Sequence, residues 1–248
     1  MIQPKLSKLI IASLGALALA GCGESQTDQS KEAEVIAKVA APAGKSWSQM
    51  VTKNADGGYV MGNPDAPIKV IEFASLTCSH CADFSKESHD EIKRDFIDTG
   101  RVSLELHNFI RDPLDATAAA IIRCTPVDRY FPLQENTFAS QEELFAGAQA
   151  NPQGGEAAMK LPPAQRFTAL AKAWKLDTFF QSRGVTAEQI NTCLGNIDNI
   201  TKLEQGTNAA AEKYSIQGTP TFVINGQLLE GVATWGPLRD RLRTMGAR

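Results

Sequence analysis

Basic residues are not in excess in this sequence, which has 25 Lys and Arg against 28 Asp and Glu over 248 residues. The formal net charge of −3 offers no basic surface for nucleic acid. No internal repeat is visible either. With 43% hydrophobic and 21% charged residues, the composition is that of a globular protein that can bury one sizeable core or two small ones.

The apolar run at the N-terminus, Leu9 to Leu19, is too short to span a bilayer. Lys5 and Lys8 precede it and small residues follow, so residues 1–21 are predicted to be an export signal. The signal ends in Leu-Ala-Gly before Cys22, which resembles the lipobox of bacterial lipoproteins. That resemblance implies that Cys22 is acylated and anchors the mature protein at a bacterial membrane. Ordinary cleavage, with Cys22 left as a spare thiol, is the alternative.

Aromatic residues are missing from Gly23 to Lys45, a stretch rich in Gln, Ser, Glu, Ala and Lys. Such a segment buries too little apolar surface to offset the entropy lost on ordering. Residues 22–45 are therefore predicted to be a flexible tether.

Cysteine is scarce and odd in number, with residues at positions 22, 78, 81, 124 and 193. Export places them where disulfides persist, and lipid on Cys22 would leave an even four. Cys124 and Cys193 each end a predicted helical run, so we expect them to form a structural disulfide that pins two helices. Two buried free thiols are the alternative.

The other two cysteines form the motif Cys78-Ser79-His80-Cys81. The apolar, β-branched run from Ile68 to Phe73 precedes it and predicts a buried strand. Apolar residues at helical spacing follow it as far as Gly100, a helix stop. Cys78 is thus predicted at a helix N-terminus, where unpaired N–H groups and the helix dipole stabilise a nucleophilic thiolate.

Three neighbours of Cys78 have predicted roles in this chemistry. His80 can add positive charge or a hydrogen bond to the thiolate. Cys81 faces the core and can attack a mixed disulfide to release the partner. Glu72, a lone carboxylate in a buried strand, should have a raised pKa and can exchange a proton with Cys81. Alternatively, Glu72 lies at a strand edge and reaches solvent or Lys69.

A metal or haem site is not indicated by this motif. Zinc requires three or four ligands, and the sequence has no second C-x-x-C and no H-x-x-x-H. Covalent haem attachment requires a His after Cys81, where the sequence has Ala82. His89 and His107 are interpreted as surface or strand-end residues, and no metal or other cofactor is predicted.

A late hairpin completes the pattern: Thr221 to Ile224 and Gln227 to Glu230 flank Asn225-Gly226, the preferred type I′ turn pair. Four segments stand in a fixed order along the chain: the turn Asn63 to Pro67, the strand Val70 to Phe73, the Cys78 motif and Gly218 to Phe222. This order is typical of the DsbA family, and from about Gly58 to Thr244 the chain resembles that family.

The resemblance implies an α/β thioredoxin-like fold with an inserted helical domain. Residues 46–110 would be the first part of the thioredoxin domain, 111–205 the insertion and 206–248 the second part. Thr219-Pro220 would form a cis-proline loop that holds the substrate backbone. Several prolines and glycines are expected to divide the insertion into short helices: Pro126, Pro132, Pro152, Gly154-Gly155, Pro162-Pro163 and Gly184.

The function implied is that of a periplasmic thiol:disulfide oxidoreductase that introduces disulfide bonds into unfolded or reduced exported proteins by dithiol-disulfide exchange and is reoxidised by a DsbB-like or other membrane partner. Ser79 stands where strong oxidants of the family have Pro, and Thr219 is also seen in isomerase-type relatives. A reductase or isomerase is therefore the first alternative. A lipid-anchored binding or chaperone protein is the second.

Overall fold

The computed structural model describes residues 33–248, so the predicted signal and Cys22 lie outside the described residues. A six-stranded mixed sheet has the strand order β1-β2-β4-β3-β5-β6. The strands are β1 Val51–Lys53, β2 Tyr59–Gly62, β3 Ile68–Ala74, β4 Val102–Asn108, β5 Thr221–Ile224 and β6 Gln227–Leu228.

The two central strands, β3 and β4, are parallel, and every other neighbouring pair is antiparallel. Helix α1, Ser79–Glu91, connects them and continues as a π-helical stretch, Ile92–Ile97, before the chain turns at Gly100. Phe84 and Phe96 of this connection are buried against the sheet, and both contact Trp235 of the C-terminal helix α10, Trp235–Thr244. This packing fixes the start of α1 at the end of β3.

The chain between β4 and β5 is helical, as expected for an insertion. Its helices are α2 Pro113–Arg123, α3 Tyr130–Ala139, α4 Gln141–Ala150, α5 Pro152–Met159, α6 Pro163–Ala173, α7 Leu176–Gln181, α8 Ala187–Gly195 and α9 Ile197–Tyr214. Helix α9 crosses the predicted boundary between residues 205 and 206. It packs on the face of the sheet opposite α1, where Ala210 and Tyr214 contact a small cluster of Phe73, Ile216 and Val223.

Two predicted helix breaks are wrong. Pro132 lies in the first turn of α3, where a backbone N–H has no partner within the helix and proline costs nothing. Gly154 and Gly155 lie inside α5. Gly155 is required by packing, since a Cβ there would lie 2.5 Å from the indole nitrogen of Trp174.

The part of the predicted tether that the structure describes, residues 33–45, lies along the body of the protein. The backbone of Ala33 donates to Thr244, that of Ile36 to Gly246 and that of Val39 to Thr99, at 2.9–3.1 Å. The expectation of a flexible chain therefore does not hold here. Backbone hydrogen bonds hold the segment, and these do not depend on the side-chain composition from which flexibility was inferred.

Within residues 33–248, no helix has the length and apolar character required to cross a membrane.

Candidate active site

Cys78 is the N-cap residue of α1, with extended backbone geometry at the junction of β3 and the helix. It and Cys81 are free thiols, and both residues are buried. The structure thus brings the two cysteines together at the helix N-terminus where the sequence predicts them.

The loop before β5 lies against Cys78. The Cys78 thiol donates to the carbonyl oxygen of Thr219 at 3.1 Å, and the Thr219-Pro220 peptide bond is cis. The Thr219 hydroxyl is buried and has no hydrogen-bond partner within residues 33–248. It is therefore the donor available to a Cys78 thiolate.

These contacts lower the pKa of Cys78 from 9.0 to about 5. The largest cause is a hydrogen bond from the Cys81 thiol, and burial opposes it. The Thr219 hydroxyl and the backbone N–H groups of Cys81 and His80 lower the pKa further. The structure shows a contribution of His80 through its backbone N–H. Its side chain is exposed, and the role of the imidazole stays a prediction.

The pKa of Cys81 is shifted in the opposite direction, because burial raises the pKa of its thiol far above the ordinary value. The nearby charges of Glu72 and Cys78 raise it further. Glu72 is 3% exposed, and burial, followed by the Cys78 charge, raises its pKa from 4.5 to about 8. Lys69, the alternative partner of Glu72, is an exposed residue. Glu72 is thus a buried acid close to the cysteine pair and can exchange a proton near neutral pH.

Asp115 is a site residue that sequence reasoning missed. It is fully buried and accepts hydrogen bonds from Ser75 Oγ (2.6 Å), Leu76 N (2.9 Å) and Arg111 N (3.1 Å). Burial raises its pKa from 3.8 to about 7. The carboxyl therefore fixes the loop between β3 and Cys78. The sequence signals only where α2 begins, through Asp112 as the N-cap before Pro113, and does not signal the burial of Asp115.

Gln141 holds the same loop from α4. Its side-chain amide donates to the carbonyl oxygens of Leu76 (2.8 Å) and Cys78 (3.0 Å). Thr77 Oγ1 also donates to Asp112 at 2.6 Å. The inserted helices thus position the active-site loop.

Cys124 and Cys193 form a disulfide in the structure, with a sequence separation of 69 residues. Cys124 is the C-cap of α2 and Cys193 lies in α8, whose N-terminus has the predicted capping box of Thr186 and Gln189. The bond connects two helices of the insertion.

The two isolated histidines have charged neighbours that the sequence does not reveal. His89 contacts Glu135, Asp90 and Lys93. His107 pairs with Glu105, and Asp56 lies near both, so within residues 33–248 these three could hold a metal ion. The positive charge of Lys213 acts on Asp56 and Glu105, which weakens the attraction of a cation. No metal is assigned to the cysteine pair.

A family model described as Thioredoxin matches residues 53–242. This chain belongs to the thioredoxin family. The sequence is 28% identical over 172 residues to a Rickettsia conorii protein whose name describes a protein-disulfide oxidoreductase. The match covers 69% of this chain and 54% of that protein, so the chain spans about half the length of this relative.

Solved structures of this family share the architecture. The crystal structure of a protein named as a protein-disulfide isomerase, from Novosphingobium aromaticivorans, is 34% identical, with a TM-score of 0.71, and the match covers 77% of this chain and 97% of that chain. The Wolbachia pipientis alpha-DsbA1 structure is 23% identical, with a TM-score of 0.60, covering 75% and 89%. The second likeness shows the fold, and the predicted α/β thioredoxin-like class is confirmed.

Proposed function

We propose that this thioredoxin-family protein introduces disulfide bonds into exported proteins, with Cys78 as the cysteine that exchanges with substrate and Cys81 as its buried disulfide partner. The observation that carries the proposal is the opposite shift of the two thiol pKa values. At neutral pH the reduced enzyme holds Cys78 as a stabilised thiolate, and a stabilised reduced form makes the disulfide form a strong oxidant.

One cycle uses the two cysteines in sequence. A substrate thiolate attacks Cys78 Sγ, the Cys78–Cys81 bond breaks, and its electron pair and a proton go to Cys81 Sγ. A second substrate thiolate then attacks the substrate sulfur of the mixed disulfide, which releases an oxidised substrate and leaves Cys78 as the thiolate. Glu72 supplies the proton for Cys81, and Thr219-Pro220 lies where it can hold substrate backbone beside Cys78.

The proposed location rests on the N-terminal sequence, and the proposed partners rest on the proposed activity. Residues 1–21 would direct export, and lipid on Cys22 would hold the enzyme at a bacterial membrane facing the periplasm. Its substrates would be unfolded or reduced exported proteins, and a membrane redox partner would reoxidise Cys78 and Cys81. Metabolic labelling with radioactive palmitate tests the anchor: the wild type should be labelled and Cys22→Ala should not.

A disulfide isomerase or reductase is the second candidate, favoured by the isomerase name of the 34% identical Novosphingobium protein and by Ser79 between the cysteines. The reduction potential of the Cys78/Cys81 pair, measured against glutathione buffers, separates an oxidase from a reductase. We expect a value near the oxidising end, about −120 mV; a value near about −270 mV would establish a reductase instead. Cys78→Ser serves as the control, and a binding protein without redox function would keep its partner affinity in that variant.

A further inference from the structure

A pocket of about 550 Å³ opens at the tip of the β1–β2 hairpin, between the C-terminal end of α2 and one face of α9. Residues 53–57 of the hairpin form one wall of this pocket, and Arg123 and Cys124 belong to the wall formed by α2. None of its lining residues belongs to the Cys78 loop or to Thr219-Pro220. Its volume is in the range of pockets that bind small molecules.

Three positively charged side chains from distant parts of the chain line this pocket: Lys53 of β1, Arg123 of α2 and Lys202 of α9. Lys53 Nζ lies 5.3 Å and Arg123 Cζ 5.1 Å from the centroid of the same Tyr59 ring. Burial lowers the pKa of Lys53, and the charges of Arg123 and Lys202 lower it further. The fold thus brings together like charges that repel each other, although the chain as a whole is acidic.

No carboxylate pairs with these three cations. In the described part of the chain, none of them forms an ion pair. Arg123 donates to Gly57 O at 2.7 Å and to Asn108 Oδ1 at 3.3 Å, and both of these acceptors are neutral. Since a guanidinium has five N–H groups, Arg123 keeps donors for a further partner.

Asp56 is the one acid among the residues that line the pocket within residues 33–248. Its charge acts on Lys213, outside the pocket, and it lies near Glu105 and His107. It is not among the charges that shift the pKa of Lys53. The positive charge in the pocket is therefore left without compensation by the protein.

The pocket is formed before any ligand binds. The C-cap of α2, Cys124, is bonded to Cys193 of α8, which fixes the end of the helix beside Arg123. The carbonyl oxygen of Arg123, at the same helix end, accepts a hydrogen bond from the Tyr59 hydroxyl at 3.0 Å. A ligand in a site that is already fixed loses less free energy to ordering of the protein.

Helix α9 leaves the pocket open. Asn199 and Gln205 add side-chain amides to its wall, and Gly206 lies between them and Ala209. A Cβ at Gly206 would meet no atom within 4 Å, so the space beside this residue is empty. The pocket therefore has room for more than a small ion.

We propose that the pocket lined by Lys53, Arg123 and Lys202 binds a phosphate group carried by an organic molecule, either a soluble phosphate ester or a phospholipid headgroup. A phosphate monoester carries a charge of about −1.5 to −2 at pH 7 and three acceptor oxygens, so it compensates more positive charge than a carboxylate does. Arginine offers it a fork of donors, and lysine a mobile point charge. The binding does not depend on the disulfide exchange proposed above.

Titration of the ¹⁵N-labelled full-length protein with glycerol 3-phosphate, at constant ionic strength, tests the proposal. The amide resonances of residues 54–57 and of Gly206 should shift and saturate. Lys53→Gln and Lys202→Gln should each weaken binding roughly tenfold, because each removes a charged hydrogen-bond donor. Lys172→Gln, an equal change of charge at an exposed position of α6, should bind as the wild type does.

Gly206→Leu separates the pocket from the general effect of surface charge. The leucine side chain would fill empty space and change no charge, so binding should weaken at least tenfold while the protein stays folded. Gly195→Leu, in α8, is the matched control, since a Cβ there also meets no atom within 4 Å. Unchanged binding in Gly206→Leu and in both lysine variants, or equally tight binding of acetate, would overturn the proposal.

The pKa of Lys53 gives a second measurement, from the NMR titration of its ε-methylene group. Bound glycerol 3-phosphate should raise this pKa, because the anion stabilises the charged ammonium group. Lys202→Gln should raise it in the absence of ligand, because one repelling charge is lost. A pKa that responds to neither change would show that the cations do not converge on one site.

Vesicles distinguish the two sources of phosphate. Phosphatidylcholine vesicles are compared with and without phosphatidic acid, using the wild type and Lys202→Gln, to which the N-terminal segment contributes equally. If phosphatidic acid retains the wild type better than the variant, the ligand is a lipid headgroup. If only glycerol 3-phosphate distinguishes the two proteins, the ligand is a soluble ester. If neither probe distinguishes them, the pocket is not a phosphate site.

Discussion

The Thr219 carbonyl oxygen accepts a hydrogen bond from the Cys78 thiol at 3.1 Å. The hydroxyl of the same residue is a buried donor beside the sulfur. The carbonyl thus binds the Cys78 thiol, and we expect the hydroxyl of the same residue to donate to the thiolate. The choice of Thr before Pro220 is therefore expected to influence the redox properties of the pair.

Thr219→Val removes the hydroxyl and keeps the shape of the side chain. We expect the pKa of Cys78 to rise from about 5 by about one unit, because the thiolate loses a hydrogen bond. The reduction potential should then fall by about 30 mV, since the reduced form is less stabilised. Thiolate absorbance against pH measures the first quantity, and glutathione equilibration the second.

Thr221→Val is the control for this change. The Thr221 hydroxyl donates to Gly218 O at 2.7 Å and is engaged there, away from the Cys78 sulfur. This variant should leave the pKa of Cys78 unchanged. An unaltered Cys78 titration in Thr219→Val would show that the hydroxyl does not contact the thiolate.

Glu72 makes the stability of the protein depend on pH. Its pKa is about 8 in the folded protein against 4.5 otherwise, so between these values the folded state keeps a proton that the unfolded state has lost. Stability from this group is fully present below pH 4.5 and is lost as the pH rises through about 8. The full difference corresponds to about 5 kcal/mol.

A glutamine at position 72 cannot ionise, so the Glu72→Gln variant should not lose this stability as the pH rises. The free energy of unfolding, measured by urea denaturation of the reduced proteins across this range, should fall with pH more steeply in the wild type than in the variant. Glu142→Gln, at an exposed position of α4, should follow the wild type. Parallel pH dependences for wild type and Glu72→Gln would mean that Glu72 is ionised at neutral pH.

Short-range features of the site could be predicted from the sequence. The end of β3, the position of Cys78 at the N-terminus of α1 and the turn at Asn225-Gly226 each follow from a few adjacent residues. In the structure both turn residues have the positive φ that a type I′ turn requires, 50° and 83°. The resemblance to a family added Thr219-Pro220, since the spacing of residues alone does not bring that loop to Cys78.

Long-range contacts of the site could not be predicted. Asp115 lies about 40 residues from the loop that it binds, and Gln141 comes to the same loop only through the packing of the inserted helices. Both are polar residues in helices, and the sequence pattern does not show which polar side chains of a helix face the interior. The docking of residues 33–45 was missed for a related reason, because backbone hydrogen bonds leave no trace in composition.

Asp115→Ala should loosen the active-site loop. Ser75 Oγ, Leu76 N and Arg111 N would lose a buried acceptor, which costs about 2–4 kcal/mol of folding stability. We also expect the rate of Cys78 alkylation at low pH to change, since the loop sets the position of the sulfur. Asp128→Ala, at an exposed position, should alter neither. A fully stable Asp115→Ala protein with normal Cys78 reactivity would show that Gln141 and Asp112 suffice to hold the loop.

The Cys124–Cys193 bond is expected to stabilise the insertion without taking part in exchange. It constrains a loop of about 70 residues in the unfolded chain, so the double variant Cys124→Ala, Cys193→Ala should lose about 4 kcal/mol in urea unfolding. The pKa of Cys78 and the reduction potential of its pair should not change, because the bond lies between α2 and α8, away from the groups that set the Cys78 pKa. A shifted reduction potential would show that the Cys124–Cys193 bond influences the Cys78/Cys81 pair. Free thiols at both positions in the purified, oxidised protein would show that the bond does not form.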